Sequence, residues 1–195
     1  MTELIKFSDA TQSRKDLLST IGVTFDNSVL EAAEIISEAV NNKNMLFFAG
    51  NGGSAAEAQH MSAEYLATLD HRNFRPGIKS IALTVDSSFM TAWTNDFGFE
   101  DLFARQIETL GSEGDIFFAY STSGTSKNII KAINSAKEKN LKIIGFTGND
   151  GGMMSNVCDL CFTVPSNSTA MIQEVHTMLG HIICSTVEKM TYFNE

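Results

Sequence analysis

Apolar positions in the first 42 residues recur at helical spacing: Leu17, Leu18, Ile21 and Phe25, then Val29, Leu30, Ala33, Ile36 and Val40. The polar triplet Asp26-Asn-Ser interrupts that register, so N-terminal helices with a break there are predicted. The texture then changes to short, nearly continuous apolar runs at Met45–Ala49, Ile78–Val85, Ile116–Tyr120, Leu141–Thr147 and Leu160–Val164. Continuous rather than alternating runs suit strands buried on both faces. Helical patterns at 54–69, 88–110, 126–139, 151–156 and 168–190 fill the intervals. Strands alternating with helices predict a doubly wound, five-stranded parallel α/β sheet with a helical N-terminal extension. No repeat, low-complexity tract or Pro/Gly/Ser linker divides the chain, so residues 1–195 are read as one domain: helices over 1–42, then sheet core and last helix over 43–195.

Composition narrows the function classes. A chain of 195 residues with 43% hydrophobic content is long enough to bury a core without disulfide or metal staples. Fourteen Lys and Arg against twenty-three Asp and Glu leave a net charge of −9. Such a surface repels phosphate backbones and anionic membranes at long range, so no nucleic-acid or membrane partner is expected. A small phosphate ester held by local donors stays open. Three cysteines, an odd number, fit a reducing compartment. The opening Met1-Thr-Glu-Leu-Ile-Lys lacks the basic and apolar regions of a secretory signal, and no apolar run approaches the ~20 residues of a membrane helix. A cytoplasmic protein is the expectation.

In open parallel sheets, ligands bind beyond the carboxyl ends of strands, where loops become helix N-termini. Two such turns stand out. Gly50-Asn-Gly-Gly-Ser54 follows the first strand, and its glycines allow positive φ and close backbone approach; a plain tight turn would use the same residues. Ser121-Thr-Ser-Gly-Thr-Ser126 follows the third strand and carries five hydroxyls in six residues ahead of a helix. Hydroxyls, amides and a helix dipole make an uncharged phosphate cradle, whereas capping alone would use only one or two hydroxyls. Neither turn has the Walker A or Gly-x-Gly-x-x-Gly spacing. His60 and Glu64 lie four apart on one helix face, which suits metal binding, proton transfer or a simple surface pair. Gln173 and His181 are eight apart on the last helix, ~12 Å of rise and ~80° of rotation. For both to serve one site, the Gln side chain must bridge the gap or two subunits must contribute. Cys158-Asp-Leu-Cys161 lacks the second pair of a structural zinc site, and strand geometry would point the two thiols to opposite sides, so both are read as packing. Asn95-Asp96-Phe-Gly98 reads as a helix stop.

Taken together, Gly50-Asn-Gly-Gly-Ser54, Gln59-His60-x-x-x-Glu64, Asn95-Asp96-Phe-Gly98, Gly114-Asp115, Ser121-Thr-Ser-Gly-Thr-Ser126, Thr147-Gly-x-Asp-Gly-Gly152 and Ile172-Gln-Glu-x-His176-x-x-x-x-His181 resemble the phosphoheptose isomerases of the sugar-isomerase (SIS) superfamily. The resemblance runs in order from about residue 45 to 190 and implies a flavodoxin-like SIS fold. It further implies isomerisation of sedoheptulose 7-phosphate to D-glycero-D-manno-heptose 7-phosphate, the first step toward ADP-heptose for lipopolysaccharide core or surface polysaccharide. By position it assigns the sugar to Asn51, Gly52, Gly53, Ser54, Asn95, Asp96 and Gln173, and the phosphate to Ser121, Thr122, Ser123 and Ser126. It assigns one Zn2+ to His60, Glu64, Gln173 and His181, and base and acid to Glu64 and His181. It also implies a homotetramer with active sites between subunits. The chain departs from the family pattern at Thr68 and Met171, where arginines are usual, and its loop from Leu69 to Arg75 is about two residues longer, which makes Arg72 a candidate substitute. The alternative is a non-catalytic SIS-domain protein that binds a replication initiator or senses a sugar phosphate; retention of Glu64 and His181 favours the enzyme.

Overall fold

The computed structural model describes residues 6–193; the first five residues, part of the stretch read for a signal, lie outside the described residues. Five strands, β1 (Leu46–Ala49), β2 (Ser80–Ala82), β3 (Ile116–Ser121), β4 (Lys142–Gly148) and β5 (Leu160–Val164), form one parallel sheet in the order β2-β1-β3-β4-β5. The helices are α1 (Phe7–Asn41), α2 (Gly53–Leu66), α3 (Ser87–Phe97), α4 (Leu102–Leu110), α5 (Lys127–Glu138) and α6 (Thr169–Tyr192).

Alternation along the strands divides the apolar side chains between two cores. Leu46, Phe48, Ile116, Phe118, Tyr120, Ile144 and Phe146 face α1, α2 and α6, while Phe47, Ala49, Phe117, Ala119 and Ile143 face α4 and α5. Both faces are covered, which is why the runs read as continuous. The chain winds one way from β1 to β2 and the other way from β3 to β5, so the switch point lies between the carboxyl ends of β1 and β3. Asp115, at the amino end of β3, accepts from Met45 N at 2.7 Å and Ser112 N at 2.9 Å, and so registers the opposite edge of the sheet.

Several predicted boundaries change. No break occurs at Asp26-Asn-Ser, because α1 is a single helix of 35 residues. Asp26 and Asn27 face solvent, while Phe25 and Val29 pack on the core, so packing holds the helix through a weakly favourable stretch. The pattern at 88–110 splits into α3 and α4 at Gly98, whose φ of 92° ends α3. The run at Ile78–Val85 supplies only three strand residues, and 151–156 supplies only a 3-10 turn at Met154–Asn156. Cys158 precedes β5 in a turn instead of lying in extended strand, so the two thiols meet rather than point apart.

Candidate active site

The helices α2 and α6 lie side by side on one face of the sheet and run in the same direction. Their contacts keep a sequence separation of 120 or 121 residues: Thr177 Oγ1 donates to Glu57 Oε2 at 2.5 Å, His60 Nε2 meets His181 Nε2 at 2.7 Å, and Thr68 Oγ1 donates to Glu188 Oε1 at 3.2 Å. Parallel pairing therefore turns two separate helical stripes into one seam. At its start, a Cβ on Gly53 would lie 2.5 Å from Gln173 Nε2, so a larger residue there would displace that amide.

Glu64 closes the group. Its Oε1 lies 3.7 Å from His60 Nδ1, and ligand atoms of His60, Glu64 and His181 all fall within 4.8 Å of one another. Two imidazoles and a carboxylate are a nitrogen and oxygen donor set that suits zinc. Around a tetrahedral zinc the two nitrogens would stand about 3.3 Å apart, so the histidines fit after a small separation. Without a metal, one ring must donate and the other accept across that contact. Gln173 packs on Gly53 and lines an open cleft with Ala56, Glu57, His60 and Thr177. His181 pairs with His60 further along the helix, so three of the four predicted ligands cluster, while Gln173 lines the cleft nearer the start of α2, beside Gly53.

The two glycine and serine loops meet at the switch point. Asn51 and Asn128 exchange side-chain amide hydrogen bonds of 2.9 and 2.8 Å, tying the end of β1 to the first turn of α5. Ser121 Oγ lies 2.9 Å from Ser126 Oγ and 3.4 Å from Ser123 Oγ, and Ser123 Oγ accepts from the Thr125 amide at 3.2 Å. Gly124 turns the loop with φ of 64°, where a Cβ would collide with the Gly151 carbonyl. Ser121 is buried, Thr122 and Ser126 are half-buried and Ser123 is exposed, so the hydroxyls run from the sheet edge to solvent. Gly52, with φ of 56°, caps α2, and Ser54 is buried in its first turn.

The remaining predicted residues are placed differently. Asn95 donates to Asp96 at 2.8 Å, and both are exposed in the last turn of α3. Thr68 bonds to Glu188, Arg72 is held by Asp70 at 2.9 Å with its side chain 80% exposed, and Met171 packs against the core beside α1. The Arg72 pair holds the Asp70 carboxyl down at about 2. Sequence reasoning missed Glu57, Thr177, Arg75 and Glu188. Glu57 is buried with Oε1 lacking a donor among the described residues, and burial raises its carboxyl above the ordinary range despite the Thr177 bond. Its position one turn after Gly53 and one turn before His60 was the available signal.

The SIS domain family model matches residues 11–148. The chain is 49% identical over 158 residues to the phosphoheptose isomerase of Aneurinibacillus thermoaerophilus, covering 81% of this chain and 79% of that one. It is 50% identical over 154 residues to phosphoheptose isomerase 2 of Campylobacter jejuni, covering 79% and 76%. Among solved structures, a phosphoheptose isomerase from Francisella tularensis superposes with a TM-score of 0.91 at 32% identity, covering 97% of this chain and 100% of that one.

Proposed function

The chain belongs to the phosphoheptose isomerase family of SIS-domain proteins, and on that premise we propose that it interconverts sedoheptulose 7-phosphate and D-glycero-D-manno-heptose 7-phosphate. One observation carries the mechanism: His60 and Glu64 of α2 converge with His181 of α6, with ligand atoms of all three within 4.8 Å of one another. The Ser121–Ser126 loop and the start of α5 hold the phosphate without a Lys or Arg in the loop, through hydroxyls, amides and the helix dipole. Asn51, Gly52, Gly53 and Ser54 hold the sugar chain, with Asn95, Asp96 and Gln173 completing its contacts.

In the opened ketose, the Glu64 carboxylate removes a proton from C1, giving a cis-enediol or enediolate. It returns the proton at C2, leaving the aldose. His181 moves the proton between the C1 and C2 oxygens. His60, Glu64, His181 and Gln173 are the residues that would hold zinc, which when bound polarises substrate oxygens and favours ionised Glu64. The assembly we propose is a homotetramer, supported by the exposed Phe97 at the end of α3 and by the separation of Gln173 from His181 along α6. The product then feeds heptose assembly for lipopolysaccharide core or surface polysaccharide, in the cytoplasm.

The test is direct. Incubation with sedoheptulose 7-phosphate, followed by NMR with and without chelator and added zinc, should show aldose formation. Glu64→Gln should lower turnover by about 10²–10⁴-fold while leaving the fold intact. Absence of turnover in every metal condition would overturn the isomerase reading and leave a non-catalytic sugar-phosphate or initiator-binding role.

A further inference from the structure

On the opposite face from α2 and α6, three sulfur-bearing side chains converge on one glycine of β4. A Cβ at Gly145 would stand 2.6 Å from Cys158 Sγ, 3.1 Å from Cys161 Sγ and 3.2 Å from the Met154 methyl. The missing side chain leaves room for the two cysteine sulfurs next to each other. The turn that brings them together is well anchored. Asp159 N donates to Ile143 O at 3.0 Å, Ile143 N donates to Asp159 Oδ2 at 2.8 Å, and Cys158 N donates to Met154 O at 3.0 Å.

Cys158 and Cys161 are both half-buried, whereas Cys184 is fully enclosed. The Cys158 thiol hydrogen-bonds to Cys161, and Thr163 Oγ1 approaches Cys161 Sγ at 4.0 Å. These donors favour the Cys161 thiolate and hold the Cys158 thiol above its ordinary range. Burial pushes the Cys184 thiol up to about 12. A thiolate beside a second thiol and within reach of solvent is the arrangement that thiol–disulfide exchange requires.

We propose that Cys158 and Cys161 are an oxidisable dithiol that closes to an intramolecular disulfide by exchange with a small disulfide of the glutathione class. The Cys161 thiolate attacks one sulfur of the small disulfide, forming a mixed disulfide and expelling one small thiolate. Cys158 then loses its proton and attacks the Cys161 sulfur, forming the Cys158–Cys161 bond and expelling the second thiolate. The protein thiols are oxidised, the small disulfide is reduced to two thiols, and the protons end on those thiols.

Reduced full-length protein, equilibrated in glutathione buffers of stepped potential, acid-quenched and alkylated, is read by intact mass and peptide mapping. As the buffer becomes oxidising, the three alkylatable thiols should fall to one, Cys184, with loss of two hydrogens and the Cys158 and Cys161 segments joined. Cys158→Ser should stop at a mixed disulfide on Cys161, and form it faster than Cys161→Ser forms one on Cys158. Three free thiols throughout, or wild-type protein that accumulates only mixed disulfides, would overturn the proposal. Mass is the readout, so the outcome does not depend on whether the protein turns over a sugar.

Discussion

At the scale of single residues, the seam between α2 and α6 joins a space that must stay empty to polar groups that must stay paired. Gly53→Ala puts a methyl where the Gln173 amide lies, yet alanine is a better helix former than glycine at the start of α2. The thermal midpoint should hold or rise while kcat/KM falls by about 10- to 100-fold, as read by calorimetry and by the isomerisation assay on the same sample. His176 has a different role. It is buried behind the seam, its Nε2 donates to the Thr147 carbonyl at 3.0 Å, and burial lowers it to about 4. The unfolded chain binds that proton near pH 6.5, so the native state is favoured above 6.5 and loses ground as pH falls toward 4. Urea titrations across that window should show His176 contributing a loss of up to about 3 kcal/mol, absent in His176→Gln. His60 and Glu64 were legible as candidates from their types and spacing, whereas Gln173 and His181 joined them only through the family resemblance. Glu57 was not, since a glutamate on a helix face reads as solvated until the partner helix covers it.

At the scale of elements, α2 ends on a buried arginine. Arg75 donates to the carbonyls of Glu64 at 2.9 Å, Tyr65 at 2.9 Å and Ala67 at 3.2 Å, and to Glu188 Oε1 of α6 at 2.7 Å. One cation thus satisfies the last-turn carbonyls of the helix that carries Glu64 and ties that helix to α6. Both side chains are almost wholly buried, at 0% and 4% exposed. Arg75→Ala should cost about 3–5 kcal/mol in urea unfolding, because it strands the Glu188 charge. The double variant Arg75→Met, Glu188→Leu should recover much of that loss, which a double-mutant cycle would show. Helix and strand identities were legible in hydrophobic period. The unbroken α1 and the split at Gly98 were not, because tertiary packing decides whether a weak stretch stays helical.

At the scale of the whole molecule, the parallel sheet brings the carboxyl ends of β1 and β3 together, and with them the glycine-rich and hydroxyl-rich loops that follow. The same fold leaves α3 with no buried residue and an aromatic row of Phe89, Trp93 and Phe97. Trp93 Nε1 is buried without an acceptor among the described residues, and Phe97 is 68% exposed. If this face packs in the proposed tetramer, Phe97→Glu should yield a smaller species by light scattering, with the helical circular dichroism retained. An unchanged mass would place the subunit contacts elsewhere. The net charge of −9 stays compatible with phosphate binding at this scale, since the Ser121–Ser126 loop supplies donors without adding a basic field.

The sequence by itself determined the elements, the parallel sheet and the two ligand-type turns, because these follow from local period, glycine placement and hydroxyl clustering. Residue types also marked which side chains could carry acid, base and metal chemistry. Only the tertiary structure decided which of them meet. Parallel packing of α2 on α6 brought His60 to His181, Glu57 to Thr177 and Gly53 to Gln173 across about 120 residues of chain. It also turned Arg75 inward and set Cys158 against Cys161 over Gly145. Those contacts depend on the angle and register between elements, which hydrophobic pattern alone does not encode.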